Sequence, residues 1–590
     1  MKKVIVLGGG VAGMSAAHEL VERGYTVEVY EKNVNYAGGK ARSVDYFGSG
    51  PIPFKDPLPG EHGFRFFPGF YKHITDTMKR IPFANGSVHD NLTPTSRIMV
   101  ARYNHIPIIT NASFPKSLKD IELIVHDLYG IDSGLTKEQI LLFAKKIWQL
   151  MTSSDIRIND DYERIGWWEY LEADRFPGKN GELSSYQSLL VQGLTRTLVA
   201  AKAETASTKT GGRIFIQLLY SMFDPNVMTD RVLNGPTNEK WLNPWKEYLI
   251  QKGVVYKNGC ELTKFNLDDK GMIDSVVVKS SQQEQQTIKG DYYVLAVPVE
   301  RAANLISDEM IKTDPCLKVA KELSVSVSWM NGIQFYLNTS LPINKGHVIY
   351  SDSEWAITSI SQIQFWKDYS LATKGNGDIK EILSVDISDW FKEGKYNKKC
   401  ASDCTKEEIA KEVWMQIKDS LNKEGKIILE DSMLVDYFLD RDIQLNALPD
   451  SQDDTLLSNR EPLLVNTINS WSKRLDAHSD IRNLFFASDY IRTFTDLATM
   501  EGANEAARRA VNGILSADNS NKPLCKIWPL TNPLILRPLQ WYDRNRWKKG
   551  LPWTESVPTW LKIIMVLWVG PIVLLNGLKL IFYKLFNLAK

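Results

Sequence analysis

A two-lobed α/β fold with a hydrophobic helical tail is predicted by three features of this 590-residue sequence. Residues 3–43 read as strand, glycine turn, helix and second strand ending in an acid, the order of a parallel βαβ unit. A further strand ending in an acid, Leu484–Asp489, precedes a helical pattern at Glu501–Leu515, so distant pieces are expected to complete one sheet. Ile563 to Leu578 then runs sixteen residues without a charge. A chain this long exceeds what one hydrophobic core organises, which is why two or more lobes are expected.

The N-terminal unit is a Rossmann-type dinucleotide site in miniature. Val4–Leu7 is a short apolar strand that enters Gly8-Gly9-Gly10-Val11-Ala12-Gly13, Met14–Arg23 is helical in pattern, and Gly24 stops it. Gly8 permits the tight turn, Gly10 lets backbone approach a pyrophosphate, and Gly13 lets helix and strand pack closely. The helix start brings free N–H groups to the phosphates. Thr26–Tyr30 alternates like a strand and ends at Glu31, 23 positions beyond Gly8, where a carboxylate can bond a ribose hydroxyl.

Bulk properties exclude several classes. Net charge is +1, which gives no reason to expect nucleic acid. The five cysteines are odd in number and scattered, Cys400 and Cys404 lack a second pair or a nearby histidine, and no metal site is expected. Removing Met1–Leu7 as a signal would delete the first strand, so a reduced cytosolic compartment fits better than export. Seventeen tryptophans are many. They serve either as lobe packing or as the wall of a site for a long apolar ligand.

The middle of the chain alternates in character. Residues 117–250 are mostly helical in pattern, at Leu118–Tyr129, Lys137–Thr152, Ile165–Asp174 and Tyr186–Ala203. Strands are expected at Gly253–Tyr256, Glu261–Leu267, Ile273–Lys279 and Asp291–Pro298, then at Ser324–Tyr336, Ile379–Ser388 and Ile427–Phe438, with a polar helix at Thr405–Lys423. The resulting division is a discontinuous nucleotide lobe of 1–90, 245–305 and 475–517, an α+β substrate lobe of 91–244 and 306–474, and a tail of 518–590. Met500-Glu501-Gly502-Ala503 starts the last helix of the nucleotide lobe, where small side chains let a flat ring approach backbone.

The tail carries a basic, tryptophan-rich stretch (Arg537 to Trp553) before its greasy run. As a helix, sixteen residues span about 24 Å, short of the roughly 30 Å hydrocarbon core, and Pro571 would kink it. Association with a membrane is expected, spanning or interfacial; a helical hairpin closing the fold is the alternative.

Together the N-terminal unit, the loop Gly38-Gly39-Lys40-Ala41-Arg42-Ser43 and Met500–Ala503 resemble the flavin amine oxidase superfamily, and within it the phytoene and zeta-carotene desaturase-like branch. Glu61–Tyr71, Val232–Pro244, Leu295–Pro298 and Ala487–Tyr490 are similar to further segments of that branch. The resemblance implies FAD as cofactor in a fold of the amine-oxidase type. It implies that Gly8, Gly10, Val11, Ala12 and Gly13 lie against pyrophosphate, that Glu31 holds the ribose with Lys32 beside it, and that Gly39, Lys40 and Arg42 lie near the flavin. Gly63, Phe64, Met500 and Glu501 are expected beside the ring, Val255 at the adenine and Asp489 at the ribityl phosphate. Lys240 stands where the plant-type enzymes carry an arginine close to the flavin. Lys240, Arg65 and Glu501 are therefore the catalytic candidates. Ser488, Phe64-Arg65 and Thr499 depart from the family pattern, and Thr499 stands where amine oxidases place an aromatic.

The activity so implied is FAD-dependent desaturation of a carotenoid-like or other isoprenoid lipid by hydride transfer to flavin. A membrane quinone or oxygen would be the electron acceptor, at the cytoplasmic face of a membrane. Alternatives on the same scaffold are a polyene or unsaturated fatty acid isomerase, a hydroxysqualene-type dehydroxylase, an amine oxidase, or a non-enzymatic flavin-binding scaffold. No general base is singled out by the sequence.

Overall fold

The computed structural model describes residues 1–590 apart from 49–55, 105–106, 112–133, 180–181, 194–201, 224–229, 424, 447–454, 566 and 568–590. Its first layer is a five-stranded parallel sheet ordered Val255–Asn258, Thr26–Glu31, Lys3–Leu7, Tyr292–Leu295, Leu484–Phe486. Val4, Ile5, Val6 and Leu7 are all fully buried, because a central parallel strand is covered on both faces and needs an unbroken apolar run. Helices Val11–Glu22 and Met500–Ala517 pack against each other beside this sheet, joined by Asn504 Nδ2 donating to Ser15 Oγ at 2.7 Å. A three-stranded antiparallel sheet, Cys260–Leu267, Ile273–Ser280 and Gln285–Ile288, is inserted in the chain between the edge strand Val255–Asn258 and strand Tyr292–Leu295.

The second layer is a seven-stranded sheet ordered Leu434–Leu439, Asn331–Leu337, Glu381–Ile387, Ile357–Ser361, Val348–Tyr350, Arg97–Ala101, Ile108–Asn111. Alternation sorts its faces. Ile333, Phe335 and Leu337 join Val413, Trp414 and Ile417 of helix Lys406–Leu421 in one core. The intervening Gln334 faces the other way, where its Oε1 accepts the Glu61 amide at 3.0 Å. A third, helical layer of Lys137–Thr152, Asp155–Asp160 and Thr208–Phe223 has its own core, with Trp167 and Tyr186 fully buried.

Several sequence expectations shift. Strands Arg97–Ala101, Val348–Tyr350 and Ile357–Ser361 were not foreseen, being short pieces whose pairing comes from distant partners. Helix Thr208–Phe223 was also unforeseen, since Gly211-Gly212 interrupts its pattern. The helix expected over Ile165–Asp174 covers only Trp167–Tyr170, because Glu172 takes the left-handed conformation at φ 52°. The strand expected from Ile427 begins only at Leu434. The helix expected at Leu118–Tyr129 and part of that at Tyr186–Ala203 lie outside the described residues.

The segment after residue 518 begins as a strap across both lobes. Cys525 and Asn512 exchange two hydrogen bonds, Thr531 and Gln217 exchange two more, and helix Arg537–Trp547 then docks on the helical layer. Its Asp543 carboxylate meets Arg157 Nε at 2.8 Å with both groups buried. The basic, tryptophan-rich stretch thus has packing partners, while Trp541 and Trp560 stay 56% and 47% exposed. Among the described residues no helix is long and apolar enough to cross a membrane. Most of the expected hydrophobic run lies outside them.

Candidate functional site

The parallel sheet presents its strand ends to a single cavity, and the glycines there are sterically required. Gly8 has φ +109°, and a β-carbon on it would lie 2.5 Å from the Ala296 carbonyl oxygen. A β-carbon on Gly13 would lie 1.9 Å from the Gly8 carbonyl oxygen, so helix and turn touch backbone to backbone. Gly10 is the N-cap of helix Val11–Glu22, with no side-chain cap and no acid in the first turn. Gly10, Val11 and Ala12 line the cavity, so a nearly buried helix start opens onto it without an anion of its own. Glu31 is pinned at the next strand end by the amides of Gly9 (2.6 Å) and Asn33 (2.7 Å), and burial pushes its pKa up. Lys32 beside it pairs with Glu461 at 2.5 Å.

A second glycine turn docks on the first. Gly38 and Gly39 have φ +96° and +57°, Gly38 N–H donates to Gly9 O at 2.9 Å, and a β-carbon on Gly39 would stand 3.1 Å from Gly10 Cα. From this turn Lys40 reaches Glu300 at 3.5 Å and also donates to the Pro462 carbonyl. Arg42 donates to Gly39 O at 2.9 Å and pairs with Asp442 at 2.6 Å. Arg65 holds the loop from the other side, donating to the carbonyls of Ala41 (3.1 Å) and Lys40 (2.9 Å). Gly63 is squeezed between Gly332, whose β-carbon would come 2.8 Å from Gly63 Cα, and Asp386, whose Oδ1 lies 2.5 Å from a β-carbon on Gly63.

The cavity measures 1540 Å³. Besides the glycine turns it is lined by Phe64, Arg65, Asp489, Met500 and Ala503, and then by an apolar wall of Phe143, Leu190, Phe215 and Leu219 from the helical layer. An open helix start, a buried acid at the following strand end and two interlocked glycine turns fit the pyrophosphate and ribose of FAD. The profile of the flavin containing amine oxidoreductase family matches residues 11–515.

The chain belongs to that family.

Among similar proteins, the 1-hydroxycarotenoid 3,4-desaturase of Flavobacterium sp. (strain P99-3) is 46% identical over 61 residues, covering 10% of this chain and 12% of that protein. The chloroplastic/chromoplastic zeta-carotene desaturase of Capsicum annuum is 25% identical over 316 residues, 52% of this chain and 49% of that enzyme. The chain therefore spans about half the length, or less, of these curated relatives. An oxidoreductase from Methanosarcina mazei superposes with a TM-score of 0.54 at 12% identity, over 87% of this chain and 100% of that one, a likeness of fold.

The structure of this family member brings most of the sequence-derived residues to one cavity. Gly8, Gly10, Val11, Ala12, Glu31, Lys32, Gly39, Lys40, Arg42, Gly63, Phe64, Arg65, Asp489 and Met500 all line it. Gly13 stands one layer behind, against Gly8. Ser488, one of the departures from the family pattern, donates its hydroxyl to Asp489 Oδ1 at 3.1 Å.

Three assignments are corrected. Lys240 does not line the cavity: its stem packs toward Gly235 and its ammonium lies 5.7 Å from the centre of the Phe83 ring. Glu501 also turns away. Its carboxylate accepts the amides of Lys72, His73 and Ile74 at 2.8–2.9 Å and meets His73 Nδ1 at 2.7 Å, so it caps helix His73–Arg80. Val255 is 46% exposed on the edge strand, and Cys260, Glu261, Leu262 and Thr263 line the cavity instead. Within the helix start at Met500, the Gly502 amide is already taken by the Thr499 hydroxyl at 3.2 Å. The tryptophans are absent from the lining among the described residues, and Trp167, Trp241, Trp245, Trp355 and Trp390 are core.

Sequence reasoning missed the acidic groups that meet at the cavity from the second sheet. His62 Nδ1 lies 2.6 Å from Asp440 and 3.5 Å from Asp442. Burial alone would lower the His62 pKa, but the two carboxylates carry it to about 9. These three could group around a metal ion in geometry, yet Asp442 already pairs with Arg42 and Asp440 with Asn331 Nδ2 at 2.5 Å. Burial raises Asp386 to about 6 against the nearby cationic groups. The only sequence signal for Asp386 was its place in the strand Ile379–Ser388.

Proposed function

We propose that this flavoprotein is an FAD-dependent oxidoreductase that desaturates a long apolar isoprenoid of the carotenoid class. The observation that carries this reading is the continuity of the cavity, from glycine turns that suit a dinucleotide to an apolar wall suited to a hydrocarbon chain. The names of the curated relatives support the same substrate class.

FAD, when bound, supplies the acceptor for a hydride from a substrate carbon. The chain's own residues do the rest. Gly8, Gly10 and the helix start at Val11 grip the phosphates, Glu31 orients the ribose, and Arg65 and Arg42 fix the loop that carries Lys40. Phe64, Phe215 and Leu219 hold an apolar chain in register and exclude water.

The membrane-facing part of this reading draws on the C-terminal segment. Trp541, Trp560, Ile563 and Leu567 are exposed, Arg544, Lys548 and Lys549 lie in or just beyond the last turn of helix Arg537–Trp547, and that helix packs on the same helical layer that forms the apolar wall. Aromatics beside cations suit a lipid interface. A cytoplasmic-face location with a membrane quinone or oxygen as acceptor is the natural partner of a lipid-soluble substrate.

The test is anaerobic mixing of the purified holoprotein, tail intact, with carotenoid precursors in lipid vesicles. Loss of the oxidised flavin absorbance with appearance of a longer polyene is expected. Reduction by polyamines or amino acids in detergent-free buffer, with no response to isoprenoids, would establish amine oxidation instead.

A further inference from the structure

We infer that His347, held by Asp230, is the proton-transfer residue of this cavity, accepting at Nε2 a proton from a substrate carbon. Resting on the desaturase reading above, the inference supplies the base that the sequence did not reveal.

His347 stands just before strand Val348–Tyr350, and its carbonyl is fixed by Met99 N–H and by Asn344 Nδ2, each at 2.9 Å. Its ring is clamped by Phe64 and Phe66, with centroids 5.0 Å away in both cases, one tilted and one edge-on. Nδ1 lies 2.8 Å from Asp230 Oδ2, which also accepts the Thr95 hydroxyl at 3.0 Å. His347 is 8% exposed and Asp230 2%, and both line the cavity. Nε2 has no partner among the described residues.

A buried imidazole that lines the cavity with one nitrogen bonded and the other without a partner leaves a polar atom unsatisfied, a cost that a ligand-directed role explains. The carboxylate makes Nδ1 the protonated nitrogen, so the Nε2 lone pair points away from Asp230. That is the tautomer a base at Nε2 requires. Phe64, the residue that the family resemblance sets beside the flavin ring, is in contact with this imidazole.

The chemistry balances. One substrate C–H bond gives up its hydrogen with both electrons to the cofactor. The neighbouring C–H bond breaks toward carbon: its electron pair becomes the second bond of the new C=C, and its proton goes to Nε2 of His347. The proton then passes to solvent. Asp230 never touches substrate, and acts as a positioning residue.

Charged and titratable groups around the dyad come from every side: Asp386 from the second sheet, with His62 and Arg65 acting on it, Tyr71 near Asp230, and Arg231 adjacent in sequence. Asp386 titrates near 6 and is the competing source of any pH dependence.

Two measurements test the assignment. With only eight histidines in the chain, ¹⁵N-histidine spectra of the holoprotein resolve the tautomer of His347, assigned by its loss in His347→Gln. The expected result is Nδ1–H with a bare Nε2, and loss of this tautomer preference in Asp230→Asn. The opposite tautomer in the wild type, or a preference unmoved by Asp230→Asn, overturns the dyad whatever the substrate. In anaerobic single turnover, His347→Gln is expected to retain FAD yet reduce it about 100-fold more slowly or worse. The acid limb of the wild-type profile should vanish in His347→Gln and persist in Asp386→Asn. A His347→Gln rate equal to wild type, or an acid limb lost only in Asp386→Asn, overturns the catalytic role. If no isoprenoid reduces the wild-type flavin, the desaturase reading fails and the proton-transfer role falls with it, whereas the tautomer result still judges the dyad.

Discussion

His73 donates Nδ1–H to Glu501 at 2.7 Å while its Nε2 accepts the backbone amide of Trp528 at 2.9 Å. The Trp528 amide can only donate, so Nε2 is bare and the proton sits on Nδ1. Through this one ring the last helix of the nucleotide lobe is tied to the strap that follows it. Glu501 also satisfies three amides at the start of helix His73–Arg80, where negative charge is favoured.

Glu501→Gln should therefore lower stability rather than chemistry. Its amide group would oppose N–H donors, at a cost of about 3 kcal/mol. Urea titration followed by flavin fluorescence and circular dichroism measures this. Unchanged stability with a collapse of turnover would restore Glu501 to the catalytic set.

Gly13→Ala drives a β-carbon onto the Gly8 carbonyl, and Gly39→Ala presses on Gly10 from the other turn while forcing alanine to positive φ. Either variant should weaken FAD affinity by about tenfold or more. Equilibrium titration of apoprotein with FAD checks it; Gly24→Ala, whose β-carbon meets nothing within 4 Å, is the comparison for strain away from the site.

Lys240→Ala should change kcat/KM by less than about threefold, because that ammonium faces Phe83 outside the cavity. Lys40→Ala, whose side chain lines the cavity, should cost FAD retention instead. The two variants compared in one steady-state and flavin-content series decide the matter.

His62 links stability to pH. In the folded chain it keeps its proton to about 9, whereas unfolded histidine releases it near about 6.5. Between these values the native state binds the extra proton, so this contribution is complete below the lower value and is lost as pH rises through the upper one. Urea unfolding at pH 6 and pH 9 should show a larger fall for wild type than for His62→Gln. Equal slopes would mean that Asp440 and Asp442 do not hold the charge.

What was legible in the sequence was local. The turn Gly8–Gly13, Glu31 at the strand end and the helix start at Met500 each depend on residues a few positions apart, and periodicity placed helix Lys137–Thr152 to the residue. The strands at Val348 and Ile357 escaped because so few residues carry too little pattern, and their partners lie far along the chain.

By itself the sequence determined the dinucleotide turn, the class of cofactor and the spacing of the pieces that build the parallel sheet, because steric demands on glycine and a buried apolar run are written in consecutive residues. Only the tertiary structure decided which way each polar side chain turns. Glu501 shares its motif with the cavity residues Met500 and Ala503 but points elsewhere and Lys240 packs outside the cavity, while Asp230 and His347, remote in sequence, meet at 2.8 Å beside Phe64. Orientation about a helix axis and pairing across sheets arise from packing many distant contacts at once, which no short stretch of chain encodes.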